Sequence, residues 1–218
     1  MMASSPALVL DFGGVISRTL FETHTLTEQA LGLAPGSLQW RGPFDPDTDP
    51  LWVAMQNDDI SERDYWAERT REIGAMIGEQ WTQMSQMVKA ARGADPEAII
   101  RPEALAAMDE AQAAGAKLAI LSNELDLFYG TSFRAKLPFM DRFEVIIDAT
   151  YTKILKPDPR AYRDCAEALG LACEQCVFVD DQMRNIIGAQ AVGMHTVHFD
   201  VHQPQHSYQQ ALELLQTI

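Results

Sequence analysis

Five short runs in this sequence are apolar almost throughout: 7–11 (ALVLD), 117–121 (KLAIL), 144–148 (EVIID), 176–180 (CVFVD) and 195–199 (HTVHF). A strand with one wet face alternates apolar and polar residues. A run without alternation has to be covered on both faces, as in a parallel sheet between two layers of helices. The segments between the runs carry helical punctuation. Pro102 opens one that runs to about Ala114, with Gly115 as its stop. Pro159 opens another that ends before Gly170, and a third follows Asp181 and ends near Gly193. Ser207 reads as the N-cap of a last helix with Ala211, Leu212 and Leu215 on its apolar face. Strands alternating with helices specify an α/β fold, a three-layer, Rossmann-like arrangement around a parallel sheet.

About ninety residues separate the first run from Pro102, too many for a simple crossover. They read as helices. Ser61 and Asp64 form a capping-box pattern ahead of Tyr65, Trp66, Ile73 and Met76, and 79–91 continues the theme with Trp81, Met84, Met87 and Val88. Met55, Met76, Met84 and Met87 are expected to pack the core of this insertion. The acidic, proline-rich piece PFDPDTDP (43–50) reads as a solvated loop. The expected organisation is an α/β core formed by 1–17 and 96–218, with 18–95 as an inserted, mostly helical cap.

With 17 basic and 31 acidic residues the formal net charge is −14, and no Lys/Arg run is present. That balance argues against nucleic acid and anionic membrane as partners. No apolar stretch approaches a membrane span and no signal peptide is evident, so the expectation is a cytoplasmic protein, monomeric or homodimeric, acting on a small molecule. Cys173 and Cys176 form a lone C-x-x-C and Cys165 stands apart, which is too little for a structural zinc site. They read as small, partly buried residues leading into a strand. His202 and His206 have metal-ligand spacing only if helical, and Pro204 lies between them.

In an open parallel sheet, ligands bind beyond the C-terminal ends of the strands. The first run ends in Asp11, the second in Ser122 and Asn123, the fourth in Asp180 and Asp181, and Lys156 follows the third in ILKPDP. A carboxylate nucleophile, a hydroxyl, a lysine and an acidic pair therefore converge on one rim. This set suits phosphoryl transfer. Carboxylates hold a divalent cation that offsets the negative phosphate oxygens. Asp11 and Asp181 with waters would satisfy Mg²⁺. Lys156, the Ser122 hydroxyl, and the amides of Phe12 and Gly13 would bind the phosphate oxygens, with Asn123 beside them. Asp11 would attack, giving an aspartyl-phosphate that water hydrolyses.

The order DFGGV, LSN, KPD, VFVDD resembles the four motifs of the haloacid dehalogenase-like hydrolase superfamily, over the whole chain and with a helical cap after the first strand. The resemblance implies Asp11 as nucleophile, Ser122 and Lys156 as phosphate-holding groups, and Asp180 and Asp181 as the acidic metal pair, with Asp181 the direct ligand. It also implies a metal-facing carbonyl at Gly13, Mg²⁺ as cofactor, and Asn185 as a partner behind the metal ligands. The expected activity is a phosphatase acting on a small phosphorylated metabolite of the sugar-phosphate or nucleotide type. A 2-haloacid dehalogenase-type hydrolase and a low-activity binding or regulatory protein are the alternatives.

The departure is Gly13, where phosphatases of the family carry Asp as general acid. Losing such an acid typically costs 10²–10⁴-fold. His24 or Glu22, just after the first strand, are positioned in the sequence to replace it, and Arg18, Thr19, Trp40 and Arg41 are candidates to line the cap side.

Overall fold

The computed structural model describes residues 5–92 and 95–218. In chain order the elements are β1 (Ala7–Leu10), α1 (His24–Leu31), α2 (Pro50–Gln56), α3 (Glu62–Met76), α4 (Met84–Arg92), α5 (Pro102–Ala113), β2 (Lys117–Ser122), α6 (Leu125–Tyr129) and α7 (Thr131–Arg134). They continue with β3 (Val145–Asp148), α8 (Ala149–Thr152), α9 (Pro159–Leu169), β4 (Cys176–Asp180), α10 (Met183–Ala191), β5 (His195–His198) and α11 (Pro204–Leu215). All five expected strands are present and form one parallel sheet in the order β3-β2-β1-β4-β5. This is the α/β, Rossmann-like fold.

The lack of alternation has the expected cause. Every residue of β1 is fully buried. Ala7, Val9, Ala119, Leu121, Cys176 and Phe178 pack with Tyr162, Ala166, Ile186 and Ala189 of α9 and α10. Side chains alternate between faces along a strand, so Leu8, Leu10, Leu118, Ile120, Val177 and Val179 point to the opposite layer, where α5 and α11 contact the sheet. Each such Val, Leu, Ile or Phe contributes about 1.5–3 kcal/mol by burial, so either face alone is a substantial part of the stability.

The chain divides into two compact units. One holds the described residues up to Arg18, Ile100–Asp126 and Leu137–Ile218; the other holds Thr19–Ile99 and Leu127–Lys136. The segment Leu127–Lys136, assigned from the sequence to the α/β core, clusters with the second unit because Phe128 and Tyr129 pack against that unit's apolar cluster. All four tryptophans, Trp40, Trp52, Trp66 and Trp81, are buried in it with Phe21, Met55, Tyr65, Ile73 and Met87. Ser61 and Asp64 do form the capping box of α3, with Asp64 N donating to Ser61 Oγ at 3.1 Å and Ser61 N donating to Asp64 Oδ2 at 3.1 Å.

Three local expectations are corrected. Ser207 is not an N-cap: α11 starts at Pro204, whose fixed φ suits the first helical position, and Ser207 Oγ instead accepts from Asp200 N at 3.0 Å. The 43–50 piece is not wholly solvated, because Asp49 is fully buried. Its carboxylate caps α2 through Trp52 N at 2.9 Å and accepts from Tyr65 Oη at 2.7 Å and Arg69 Nη2 at 2.5 Å. Met55 and Met87 pack the core of the second unit, but Met76, in the last turn of α3, is 48% exposed.

Candidate active site

The topology alone gathers the site. The connection after β1 leads to β2 on one side and the connection after β4 leads to β5 on the other, so a crevice opens at the C-terminal ends of the neighbouring strands β1 and β4. Asp11 N donates to Val179 O at 3.0 Å, which sets Asp11 beside the end of β4 and hence beside Asp180 and Asp181. The carboxylates of Asp11, Asp180 and Asp181 each offer an oxygen within 4.8 Å of the others. Lys156 reaches between them: its Nζ is 2.9 Å from Asp11 Oδ1 and donates to Asp180 Oδ2 at 2.6 Å.

These groups are not equivalent. Asp180 is fully buried and held on all sides. Besides Lys156, it accepts from Gln182 N at 2.8 Å and from Asn185 Nδ2 at 3.1 Å on both oxygens. Asn185 thus stands behind the acidic pair, on the first turn of α10, and its carbonyl accepts from Tyr162 Oη at 2.8 Å. Asp11 and Asp181 are only partly buried and face the open side. Burial pushes the Asp11 pKa up to about 7; Lys156 pulls against that shift and Asp180 adds to it. Lys156 is driven above its ordinary value, because the two carboxylates outweigh the burial that works to discharge it.

The loop after β1 is built for this approach. Gly13 and Gly14 break the helical path, with Gly14 at φ +81°, and Ser17 N closes the turn onto Phe12 O at 2.9 Å. A Cβ on Gly14 would lie 2.5 Å from Asp181 Oδ2, so only glycine lets that carboxylate come so near the loop. Arg101, 3% exposed, holds the loop from below, its Nη2 donating to Gly14 O at 3.0 Å and Nε at 3.2 Å. Tyr208 Oη donates to Val15 O at 3.0 Å. Neither residue was legible as part of the site. They lie about ninety and two hundred positions downstream with no local signal.

The structure places the members of the expected phosphate-binding set as follows. The Phe12 amide lowers the Asp11 pKa, opposing the effect of burial, and the Phe12 ring is buried. Asn123 is committed to the lysine loop: its Nδ2 donates to Lys156 O at 3.1 Å and its Oδ1 accepts from Lys156 N at 2.7 Å. It positions Lys156. Ser122, at the end of β2, keeps its hydroxyl on the rim and accepts from Glu124 N at 3.4 Å. Gly13 leaves open space, since a Cβ built there meets nothing within 4 Å.

The candidates for a replacement acid fare poorly. Glu22 Oε2 accepts from Thr19 N at 2.8 Å and Thr19 Oγ1 at 2.9 Å. Burial pulls the His24 pKa down to about 4, leaving the ring neutral at pH 7 and stacked edge-on against Trp40 at 4.4 Å. The cysteines are free thiols whose pKa values burial raises, Cys176 to about 12, so the C-x-x-C carries no ready thiolate. His202 Nδ1 lies 3.1 Å from Asp200 Oδ1 and His206 Nε2 3.2 Å from Gln210 Nε2, not facing each other. No helix among the described residues is long and apolar enough to cross a membrane.

The sequence is similar to proteins of known class. The model of the haloacid dehalogenase-like hydrolase family matches residues 6–193. Phosphatase MT3486 of Mycobacterium tuberculosis is 36% identical over 93 residues, 43% of this chain and 43% of that protein. The (S)-2-haloacid dehalogenase 4A of Burkholderia cepacia is 32% identical over 97 residues, 44% of this chain and 41% of that protein. The chain thus spans less than half the length of these curated relatives. Among solved structures, the L-2-haloacid dehalogenase RSc1362 superposes with a TM-score of 0.61 at 19% identity, over 98% of this chain and all of that one. With a family match over most of its length and the motif residues gathered at one sheet edge, the chain belongs to the haloacid dehalogenase-like hydrolases.

Proposed function

We propose that this hydrolase is a Mg²⁺-dependent phosphatase of a small phosphorylated metabolite, with Asp11 as nucleophile. The observation that carries the reading is the acidic trio with a single lysine: three carboxylates within 4.8 Å and one cation between two of them. Like charges so close repel unless a cation joins them. The set fits Mg²⁺: Asp11 and Asp181 would hold the ion, with the Gly13 carbonyl as a further ligand, while the oxygens of Asp180 are already taken by Lys156, Gln182 and Asn185. Bound there, the ion would neutralise charge on the phosphate oxygens.

The chain's own residues supply the rest. Lys156 and the Ser122 hydroxyl hold the phosphoryl group in line with Asp11. An Asp11 oxygen forms a bond to phosphorus as the ester P–O bond breaks, and the leaving oxygen takes a proton from water. Water then attacks the phosphorus of the aspartyl-phosphate, releasing phosphate, restoring Asp11 and giving its proton to solvent. Residues of the second unit would set substrate choice. Release of halide from a 2-haloacid needs no cation, and the trio would repel such a substrate's own carboxylate. That chemistry argues against the dehalogenase reading, although dehalogenases are among the relatives.

The test is steady-state turnover of p-nitrophenyl phosphate, sugar phosphates and nucleotides with and without Mg²⁺, beside 2-chloropropionate, for the native chain and Asp11→Asn. Ester turnover that needs both Mg²⁺ and Asp11 supports the proposal. Halide release without ester turnover, or no turnover at all, overturns it.

A further inference from the structure

The second unit contains a basic cavity that the proposed chemistry does not use. It measures about 230 Å³ and lies between α4 and the α6–α7 segment. Its lining carries three cations, Lys89, Arg92 and Lys136, and the hydroxyls of Ser85, Tyr129 and Ser132, but no Asp or Glu. In a chain with 31 acidic and 17 basic residues this is a local inversion of charge.

Arg92 is the unusual member. It is 5% exposed, yet no hydrogen bond or ion pair joins it to a carboxylate among the described residues. Its Nη2 donates to Thr23 Oγ1 at 2.9 Å and its Nη1 to Tyr129 Oη at 3.3 Å, and its Nε is buried with no partner. A buried guanidinium satisfied only by two hydroxyls is costly, since a desolvated charge normally has an opposite charge against it. Burial accordingly pulls its pKa below the ordinary arginine value, with Tyr129 and then Glu22 opposing that shift. The Glu22 effect on Arg92 is electrostatic, and Glu22 Oε2 accepts from Thr19 N and Thr19 Oγ1. Lys89 and Lys136 are exposed at the rim, where they add charge that a ligand meets first.

We propose that this cavity is an oxyanion site, taking inorganic phosphate or the phosphate end of a larger molecule. An oxyanion would give Arg92 the counter-charge and the acceptor that the protein does not supply, and the neighbouring hydroxyls are further donors. The volume sits below the roughly 300–1,000 Å³ of pockets that enclose whole metabolites, which suits a small anion or one headgroup. None of the lining residues is among those assigned to the phosphatase chemistry, so the proposal stands or falls independently of that reading.

Amide shifts of the full chain, titrated with inorganic phosphate and then with methyl phosphate in a chelating buffer of low ionic strength, test it. Saturable shifts are expected in 85–92 and 129–136. Arg92→Met should raise Kd roughly 10–100-fold, the loss expected for a charge-assisted contact. Because Arg92 is buried and that variant is prone to misfold, Lys89→Glu and Lys136→Glu, both exposed, provide the second arm and should each weaken binding several-fold. Tighter binding of methyl phosphate than of phosphate would assign the site to a phosphate ester; the reverse would assign it to the free ion. No shifts in these segments, or a Kd unchanged in Lys89→Glu and Lys136→Glu, would overturn the proposal.

Discussion

Gly14→Ala probes how the sheet edge is built. Two costs are readable. The alanine would sit at φ +81°, a left-handed conformation that costs a residue with a Cβ about 1–2 kcal/mol. Its Cβ would also lie 2.5 Å from Asp181 Oδ2 and 3.0 Å from Asp181 Cγ. Ordinary contact needs about 3.5 Å, so something has to retreat by about 1 Å. The loop is the stiffer side, pinned by Arg101 on the Gly14 carbonyl and Tyr208 on the Val15 carbonyl. The Asp181 carboxylate therefore moves, and a displacement of that size at a reacting centre costs about 10²-fold. The expected phenotype is a small loss of stability, roughly 2–8 °C in Tm, with a far larger loss of Mg²⁺-dependent turnover. Urea or thermal unfolding and Mg²⁺ titration of the rate separate the two. If displacement of Asp181 is the cause, Gly14→Ala in an Asp181→Ala background adds almost no further loss of rate, a strong departure from additivity. Wild-type Mg²⁺ dependence in Gly14→Ala, or additive losses in the double variant, would refute the reasoning.

Other substitutions test neighbouring parts. Gly13→Asp places a carboxyl where nothing lies within 4 Å and φ is −71°, so it should fold normally; with an acid restored, turnover of alkyl phosphates should rise by ~10²-fold or more while p-nitrophenyl phosphate, whose leaving group needs little protonation, changes far less. Equal effects on both substrates would count against a missing acid. Asn123→Ala removes both clamps on the Lys156 backbone, and we expect kcat to fall about 10–100-fold, with the loss visible as weaker inhibition by the product phosphate. His24 has a folded pKa near 4 against 6.5 in the open chain, so the unfolded state binds more protons between those values and stability falls as pH drops from about 6.5 toward 4. Burial is the main cause, with Arg41 acting in the same direction and Glu28 and Asp49 opposing. His24→Phe, which keeps an aromatic ring beside Trp40, should flatten that slope above pH 5; urea melts across pH 5–7 report it, and an unchanged slope would place the proton uptake elsewhere.

Much of this protein was legible along the chain because the relevant physics is local. Short apolar runs such as 7–10, separated by segments with helical start and stop signals, suit strands covered on both faces, so the parallel sheet and the α/β class follow from their order. The strand-end rule then places Asp11, Ser122, Asp180 and Asp181 on one rim, since each sits at or next to the end of its strand, and Lys156 joins them from the connection between β3 and α9. What the chain order could not carry is the division of labour within that set. Asp180 and Asp181 are adjacent in sequence, yet one is sealed behind Lys156, Gln182 and Asn185 and the other faces the open side. Asn123 looks like a ligand-binding residue by position, and only the fold turns its amide onto the Lys156 backbone. Arg101 and Tyr208 support the catalytic loop across long sequence separations, and Asp49 looks like a loop acid until the aromatic cluster closes around it. Pattern in one dimension determines which faces must be buried and where strands end. Which buried polar group meets which partner depends on packing between distant segments, and that is decided only when the layers close.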